Sequence, residues 1–291
     1  MTEYRNESTN EQSRAMLVIA HPGHELRVHG WLETSRPHVW VLTNGSGRAQ
    51  HSRIDSTTRV LCSAGAVPGS VYGQMSDVDL YNDVLEFNHS RFTDLVDQLV
   101  DGLIRTDADV VAGDAEEGYN PAHDICRLVI NAALRLVKSK TNREITNYDF
   151  TLMGPPAASL NELNSNSLLL SLDDAAFARK LSAARNYPEL QAEVEAALNG
   201  SGNGTFNDRP DLAQRVRATF GATDASSFRN ECLRYLNNHS GFTSYFNGDA
   251  PFYETYGEQQ VRAGHYTHVL RYRDHMLPLA MALDAHVETN S

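Results

Sequence analysis

Two histidines three residues apart, His21 and His24, are the side chains in this sequence best placed to do chemistry. They follow the apolar run from Met16 to Ala20, which predicts a short buried strand that the intervening Pro-Gly pair ends. Open α/β sheets place their ligand crevices just past the carboxyl ends of such strands. Neutral imidazoles at that point can converge on zinc, copper, iron or nickel, so the pair predicts a metal site that a third ligand must complete.

A third histidine, His123, occupies an equivalent position later in the chain. It follows the segment Asp109 to Gly113, a second predicted strand, and falls in the first turn of a helix that Pro121 is expected to open. Side chains from two such strand ends can meet across one crevice. We therefore predict that His21, His24 and His123 bind one divalent cation and leave a fourth position open for water or substrate.

Short apolar runs alternate with segments of helical spacing through the first half of the chain. The predicted strands are 16–20, 39–42, 109–113 and 148–153, and the predicted helices are 25–34, 53–64, 81–104 and the one that Pro121 opens. This alternation predicts an α/β fold, in which a Rossmann-like, mostly parallel sheet has helices on both of its faces.

The character of the sequence changes beyond Pro155. Helices are predicted over 173–184 and 188–198 and around 274–286, with polar, aromatic-rich segments between them. We predict a mobile lead-in over residues 1–14 and a single α/β domain over residues 15–291. Residues 15–155 would carry the metal site, and residues 156–291 would form a mixed helical half that covers the substrate.

Composition narrows the class of protein. The chain has 291 residues, 41% of them hydrophobic and 21% charged, which is typical of a globular domain with a full core. Its net charge of −12 argues against binding nucleic acid or an anionic membrane. No apolar run approaches the roughly 20 residues of a membrane span. The polar N-terminus and the three widely spaced cysteines indicate a reduced, cytoplasmic protein.

These motifs resemble those of the LmbE/PIG-L family of zinc-dependent de-N-acetylases, which has AHPDDE after its first strand and an HPDH-like motif opening a later helix. Ala20 to Glu25 matches the first motif at four of six positions, and Asn120 to His123 matches the second at two of four. The turn from Leu42 to Gly45 and the segment that begins at Arg53 are also similar. The resemblance covers roughly the first half of the chain and implies bound Zn²⁺, an N-acetylated sugar or related substrate, and a substrate contact by Arg53.

The sequence departs from the family pattern at the positions that have chemical roles in the family. Gly23 and His24 stand where the family has an aspartate that acts as general base and an aspartate that binds zinc. Gly23 accepts no proton, and general-base assistance is typically worth about 10²–10⁴-fold in rate. His24 can still bind metal, and fewer anionic ligands should make a bound water more acidic. Asn120 replaces a histidine expected to stabilise the oxyanion; it can donate a hydrogen bond but cannot deliver a proton.

Nearby acids offer partial substitutes. Asp114 or Asp124 could orient a histidine through its second ring nitrogen, so we count both with Asn120 as candidate catalytic residues. Either acid could instead be a loop charge or a charge stabilised by a helix N-terminus. His265 lies in a histidine-rich segment and is predicted to line the crevice with Arg53, although polar aromatic clusters often serve packing.

Three functional hypotheses remain open from the sequence. The first is a divergent metal-dependent hydrolase that cleaves an amide of an N-acylated sugar or amino metabolite; the sugar is implied by the resemblance alone. The second, supported by Gly23, is a metal- or ligand-binding protein that has lost hydrolysis. The third is a metal enzyme of another reaction type that uses the three-histidine centre without a carboxylate base.

Overall fold

The computed structural model describes residues 14–47, 51–156, 165–199, 210–237 and 250–291. Most of the predicted lead-in therefore lies outside the described residues. Its last residue, Arg14, is ordered against the sheet, because its carbonyl accepts a hydrogen bond of 2.8 Å from the backbone N–H of Asp109.

The strands form one mixed sheet. They are β1 (Ala15–Ile19), β2 (His38–Thr43), β3 (Val67–Met75), β4 (Val110–Asp114), β5 (Thr146–Phe150), β6 (Leu168–Ser171) and β7 (Asn230–Leu236). Their order is β3-β2-β1-β4-β5-β7-β6, in which β1 to β5 pair in parallel and β7 pairs antiparallel with β5 and with β6. The predicted α/β class with a mostly parallel sheet is confirmed.

Helices pack on both faces of this sheet. They are α1 (His29–Ser35), α2 (Ile54–Ala64), α3 (Asp77–Leu85), α4 (His89–Arg105), α5 (Pro121–Thr141), α6 (Asp174–Arg185), α7 (Gln191–Leu198), α8 (Pro210–Phe220), α9 (Phe252–Arg262) and α10 (Leu277–Asn290). Successive residues of β1 point to opposite faces. Met16 and Val18 pack in a core with α3, α4, α5 and α10, whereas Leu17 and Ile19 pack in a second core with α1 and α2. None of the described helices is long and apolar enough to cross a membrane.

The predicted single helix over 81–104 is wrong. The chain leaves the helix after Leu85 and begins α4 at His89, and Phe87 between them has a φ of 58°, which no regular helix contains. Phe87 is the only apolar residue between Leu85 and Phe92, and it is 51% exposed. No packing against the core therefore holds this stretch of backbone in a helix.

Strands β3, β6 and β7 were not predicted. β3 contains Pro68, Gly69 and Gly73, which usually interrupt strands, yet the absence of a side chain at Gly69 admits the ring of Trp40. A Cβ at Gly69 would lie 2.1 Å from that ring. The second half of the chain is more than a helical cover, because it contributes β6 and β7 to the same sheet.

The order of the strands places a crevice at the carboxyl ends of β1 and β4. β1 pairs with β2 on one side and with β4 on the other, so the connections that leave β1 and β4 diverge at their carboxyl ends. Such a switch point is where open α/β sheets bind their ligands. The two loops that carry the predicted ligand histidines leave the sheet here.

Candidate functional site

A tight turn positions the two histidines that follow β1. Gly23 has a φ of 107°, and its N–H donates to Oε2 of Glu25 at 2.7 Å. Glu25 is fully buried and accepts a second bond of 2.8 Å from the hydroxyl of Thr57 in α2. Burial raises the pKa of Glu25 to about 7. The carboxyl of Glu25 therefore holds the turn and is not directed at a ligand.

A capped helix start sets the third histidine. Pro121 is the first residue of α5, and the Asn120 side chain accepts a hydrogen bond of 2.9 Å from the N–H of Ala122. This cap satisfies one of the free N–H groups of the first turn, in which His123 lies. His123 is 4% exposed.

The three predicted ligands lie side by side. The ring centroids of His21 and His24 are 5.3 Å apart, those of His21 and His123 5.5 Å, and those of His24 and His123 4.7 Å. Three imidazoles that bind one tetrahedral ion at an N–metal distance of about 2.1 Å would have centroids about 5 Å apart. The mutual distances of the rings therefore suit a shared cation.

Two of the rings, those of His24 and His21, each have a carboxylate beside them. Nδ1 of His24 lies 2.9 Å from Oδ2 of Asp114, which also accepts a bond of 2.8 Å from the N–H of Ala20. Nδ1 of His21 lies 2.9 Å from Oδ1 of Asp77 and 2.8 Å from the Thr43 hydroxyl, which itself donates to Asp77. Each contact engages Nδ1 and leaves Nε2 as the nitrogen that can bind a ligand.

Asp77 was missed by sequence reasoning. Ser76 and Asp79, on either side of it, form a capping box. This motif marks the start of α3 but does not indicate the direction of the Asp77 side chain. Burial raises the pKa of Asp77, but the contacts with His21 and Thr43 outweigh it and hold that pKa below the ordinary value. The carboxyl is therefore an anionic acceptor for His21.

Burial favours the neutral form of His24 and His123. Burial lowers the pKa of His24, although Asp114 opposes the shift, and burial lowers the pKa of His123 well below the usual value. Neutral imidazole is the metal-binding form.

Two buried atoms in this cluster have no hydrogen-bond partner: Nδ1 of His123 and Oδ1 of Asp114. Leaving such atoms unpaired costs free energy, so their presence fits a site completed by a cation. The ligand atoms as placed do not form a finished site, since within the described ranges no group of three or more His, Cys, Asp or Glu side chains is arranged to hold a metal ion. The rings are adjacent, and binding would require them to turn toward a common point.

The other predicted site residues have different surroundings. Among the described residues, the carboxyl of Asp124 bonds to no histidine; its Oδ1 accepts from the N–H groups of Glu117 and Gly118 at 3.0 and 3.2 Å. Arg53 is half-buried beside Pro22 and Gly45, and its charge lowers the pKa of His24. The guanidinium of Arg53 makes no hydrogen bond or ion pair to the described part of the chain.

His265 lies on the surface. Its backbone N–H bonds to the carbonyl of Gln260 at 2.9 Å, and its ring makes no recorded contact with the three histidines in the part of the chain that the structure describes. The ring of the neighbouring Tyr266 lies 6.5 Å from that of Tyr256 on α9.

The space beside Gly23 is filled from the second half of the chain. A Cβ added at Gly23 would lie 2.3 Å from Cδ1 of Leu190 and 3.8 Å from Cζ of Tyr187. The Tyr187 hydroxyl contacts Thr57 at 2.9 Å and donates to the carbonyl of Arg53 at 3.2 Å. A side chain at position 23 would therefore have to displace Leu190.

Comparisons with known proteins add little beyond this geometry. No protein-family model matches the sequence, and no curated protein matches it. Among solved structures, the zinc-inhibited form of teicoplanin deacetylase Orf2 is similar at 13% identity and a TM-score of 0.46, covering 77% of this chain and 99% of that one. The A40926 pseudoaglycone deacetylase Dbv21 is similar at 14% identity and a TM-score of 0.45, covering 80% and 100%. Likenesses this remote carry no weight for function.

Proposed function

We propose that this chain is a divergent metal-dependent hydrolase that cleaves the amide of an acylated amino group on a small molecule, with Zn²⁺ as its cation. One observation carries the proposal: His21, His24 and His123 meet at the β1/β4 switch point, with carboxylates behind two of them. Neutral nitrogen ligands in a set of three suit a catalytic zinc ion with one open position.

The protein's own groups would prepare the site in three ways. Asp77 and Asp114 would hold His21 and His24 in one tautomer, with Nε2 free to bind. A divalent cation bound there would act as a Lewis acid on the amide carbonyl. Asn120 would donate a hydrogen bond to the developing negative oxygen, and the guanidinium of Arg53 would bind a negatively polarised part of the substrate.

A binding protein without hydrolytic activity is the second candidate. Gly23 offers no carboxylate, and Leu190 occupies the space that one would need. This observation predicts cation binding with little or no turnover.

The test measures metal and turnover together. We expect wild-type protein, loaded with Zn²⁺ and desalted, to retain about one ion per chain by mass spectrometry, and His123→Ala to lose it. The matched control is His38→Ala, because His38 is a half-buried histidine at the amino end of β2, away from the crevice. Release of acid from a panel of N-acylated amino sugars and amino acids would be followed with and without chelator.

The outcomes separate the candidates. Chelator-sensitive release that disappears in His123→Ala supports the hydrolase. Retained zinc without release from any amide supports the binding protein. If wild type and His123→Ala retain equally little zinc, the three-histidine centre is not a metal site and both candidates fail.

Replacing Asp77 with asparagine should weaken zinc binding about 10–100-fold, because His21 loses the anion that orients its ring and raises its basicity. Competition with a chromophoric chelator measures the affinity. Asp79→Asn is the control: this residue lies on the same helix, but its carboxyl bonds to Ser76. Equal losses in both variants would mean that disruption of α3, and not the contact with His21, causes the effect.

A further inference from the structure

Helix α3 contacts both of the loops that form the candidate site. Asp77, at its start, contacts His21 after β1. Tyr81, one turn later, donates its hydroxyl to Oδ1 of Asn120 at the start of α5, at a distance of 2.8 Å. Residues four apart lie on one face of a helix, so a single face of α3 bridges the two strand ends.

Asn120 has both acceptor positions of its carbonyl oxygen in use. Oδ1 accepts from the backbone N–H of Ala122 at 2.9 Å and from Tyr81 at 2.8 Å. A backbone N–H can only donate, so the oxygen and the amino group of this carboxamide cannot exchange places without losing the helix cap. The Tyr81 hydroxyl must also donate, because an amide oxygen only accepts.

The amino group of Asn120 is consequently the free end of the carboxamide. Nδ2 bonds to no residue in the described ranges, and it is not among the buried unpartnered atoms. A donor that is fixed in orientation and open to solvent, one turn before His123, suits a carbonyl or negatively charged oxygen.

We infer that Tyr81 is a positioning residue that fixes the Asn120 carboxamide so that its amino group donates to the acceptor oxygen of a bound substrate. The inference rests on the proposed function for the identity of that oxygen. The hydrogen bond between Tyr81 and Asn120 does not depend on the proposed function.

The state of Tyr81 supports this role. Burial raises the pKa of the Tyr81 hydroxyl well above its ordinary value, and the charge of Asp77 adds to the shift. The hydroxyl therefore keeps its proton, and its ability to donate, throughout the physiological pH range.

Kinetics provide the first test, with Tyr81→Phe and Asn120→Asp. Aspartate keeps the acceptor for Ala122 and Tyr81 but removes the donor, and loss of one such donor typically lowers kcat about 10²–10³-fold. We expect Tyr81→Phe to lower kcat by roughly three- to tenfold with little change in KM, since Ala122 still restrains the amide. In the Asn120→Asp background, Tyr81→Phe should cause almost no further loss, because Tyr81 acts through the lost donor.

A spectroscopic test works without turnover. In protein labelled with ¹⁵N-asparagine, the side-chain signals of Asn120 are those that disappear in Asn120→Asp. They should shift or broaden in Tyr81→Phe and remain unchanged in Tyr72→Phe, a control in which the removed hydroxyl bonds to Thr58.

Each outcome decides a separate question. Unchanged Asn120 signals in Tyr81→Phe, or equal kinetic losses from Tyr81→Phe in both backgrounds, would overturn the positioning role. If wild type cleaves no amide but the signals respond as expected, the positioning of Asn120 stands and the proposed hydrolysis fails.

Discussion

Lys180→Met should lower the free energy of unfolding by about 3–5 kcal/mol, the usual loss when one partner of a buried ion pair is removed. The side chains of Lys180 and Glu231 are 3% and 0% exposed, and Nζ donates to Oε1 of Glu231 at 2.7 Å. Glu231 also accepts from the N–H groups of Gly30 and Trp31 at 2.8 and 2.9 Å. Without the ammonium group, the buried carboxylate would lose the cation that is hydrogen-bonded to it.

This pair joins three parts of the fold. Lys180 lies on α6, Glu231 on β7 and the two N–H donors at the start of α1, just after the histidine turn. Nζ of Lys180 also donates to the carbonyl of Arg27 at 2.8 Å. Loss of the pair between Lys180 and Glu231 should therefore loosen the packing of the second half of the chain against the site.

Arg179→Met provides the control for Lys180→Met. Arg179 precedes Lys180 on the same helix and pairs with Glu33, but its side chain is 56% exposed, and pairs of this kind contribute little. Urea unfolding followed by circular dichroism would measure both variants, with equal m-values as the condition for comparison. A loss in Lys180→Met no larger than in Arg179→Met would show that the buried pair is not important for stability.

Gly23→Asp, the substitution that introduces a carboxylate next to the histidine turn, should destabilise the protein and fail to create a base. A non-glycine residue held at a φ of 107° costs about 1–3 kcal/mol. Forcing a side chain into the space of Leu190 adds about 1–3 kcal/mol of overpacking. The aspartate should also displace Leu190 or Tyr187, and with them the contacts that hold Arg53 and Thr57.

Two further variants separate these effects. Gly264→Asp places the same side chain at a φ of 74° with no atom within 4 Å of the added Cβ, so it reports backbone strain alone. The double variant Leu190→Ala/Gly23→Asp should regain the part of the unfolding free energy that overpacking removes. The part that backbone strain removes should remain lost. If Gly23→Asp is as stable as wild type and hydrolyses amides faster, the view that Leu190 closes this position is wrong.

The central elements of the sheet were predictable because of their burial. β1, β2 and β4 have helices or strands against both faces, so they are short apolar runs that stand out against polar surroundings. β3 did not stand out, since Pro68 and Gly69 break its pattern and the space of the missing side chain is filled by Trp40, 29 residues away. The break at Phe87 depends on the incomplete burial of this side chain, which local spacing does not reveal.

The local sequence alone was sufficient to place His21, His24 and His123 near one another. His21 and His24 come just after β1, His123 opens the helix that follows β4, and the carboxyl ends of neighbouring parallel strands share one edge of the sheet. The groups that contact His21, Asn120 and Gly23 belong to distant parts of the chain: Asp77 and Tyr81 on α3, and Leu190 beyond α6. Only the folded chain brings them into contact, because a hydrogen bond or a filled space depends on distance in three dimensions and leaves no periodic mark in the sequence.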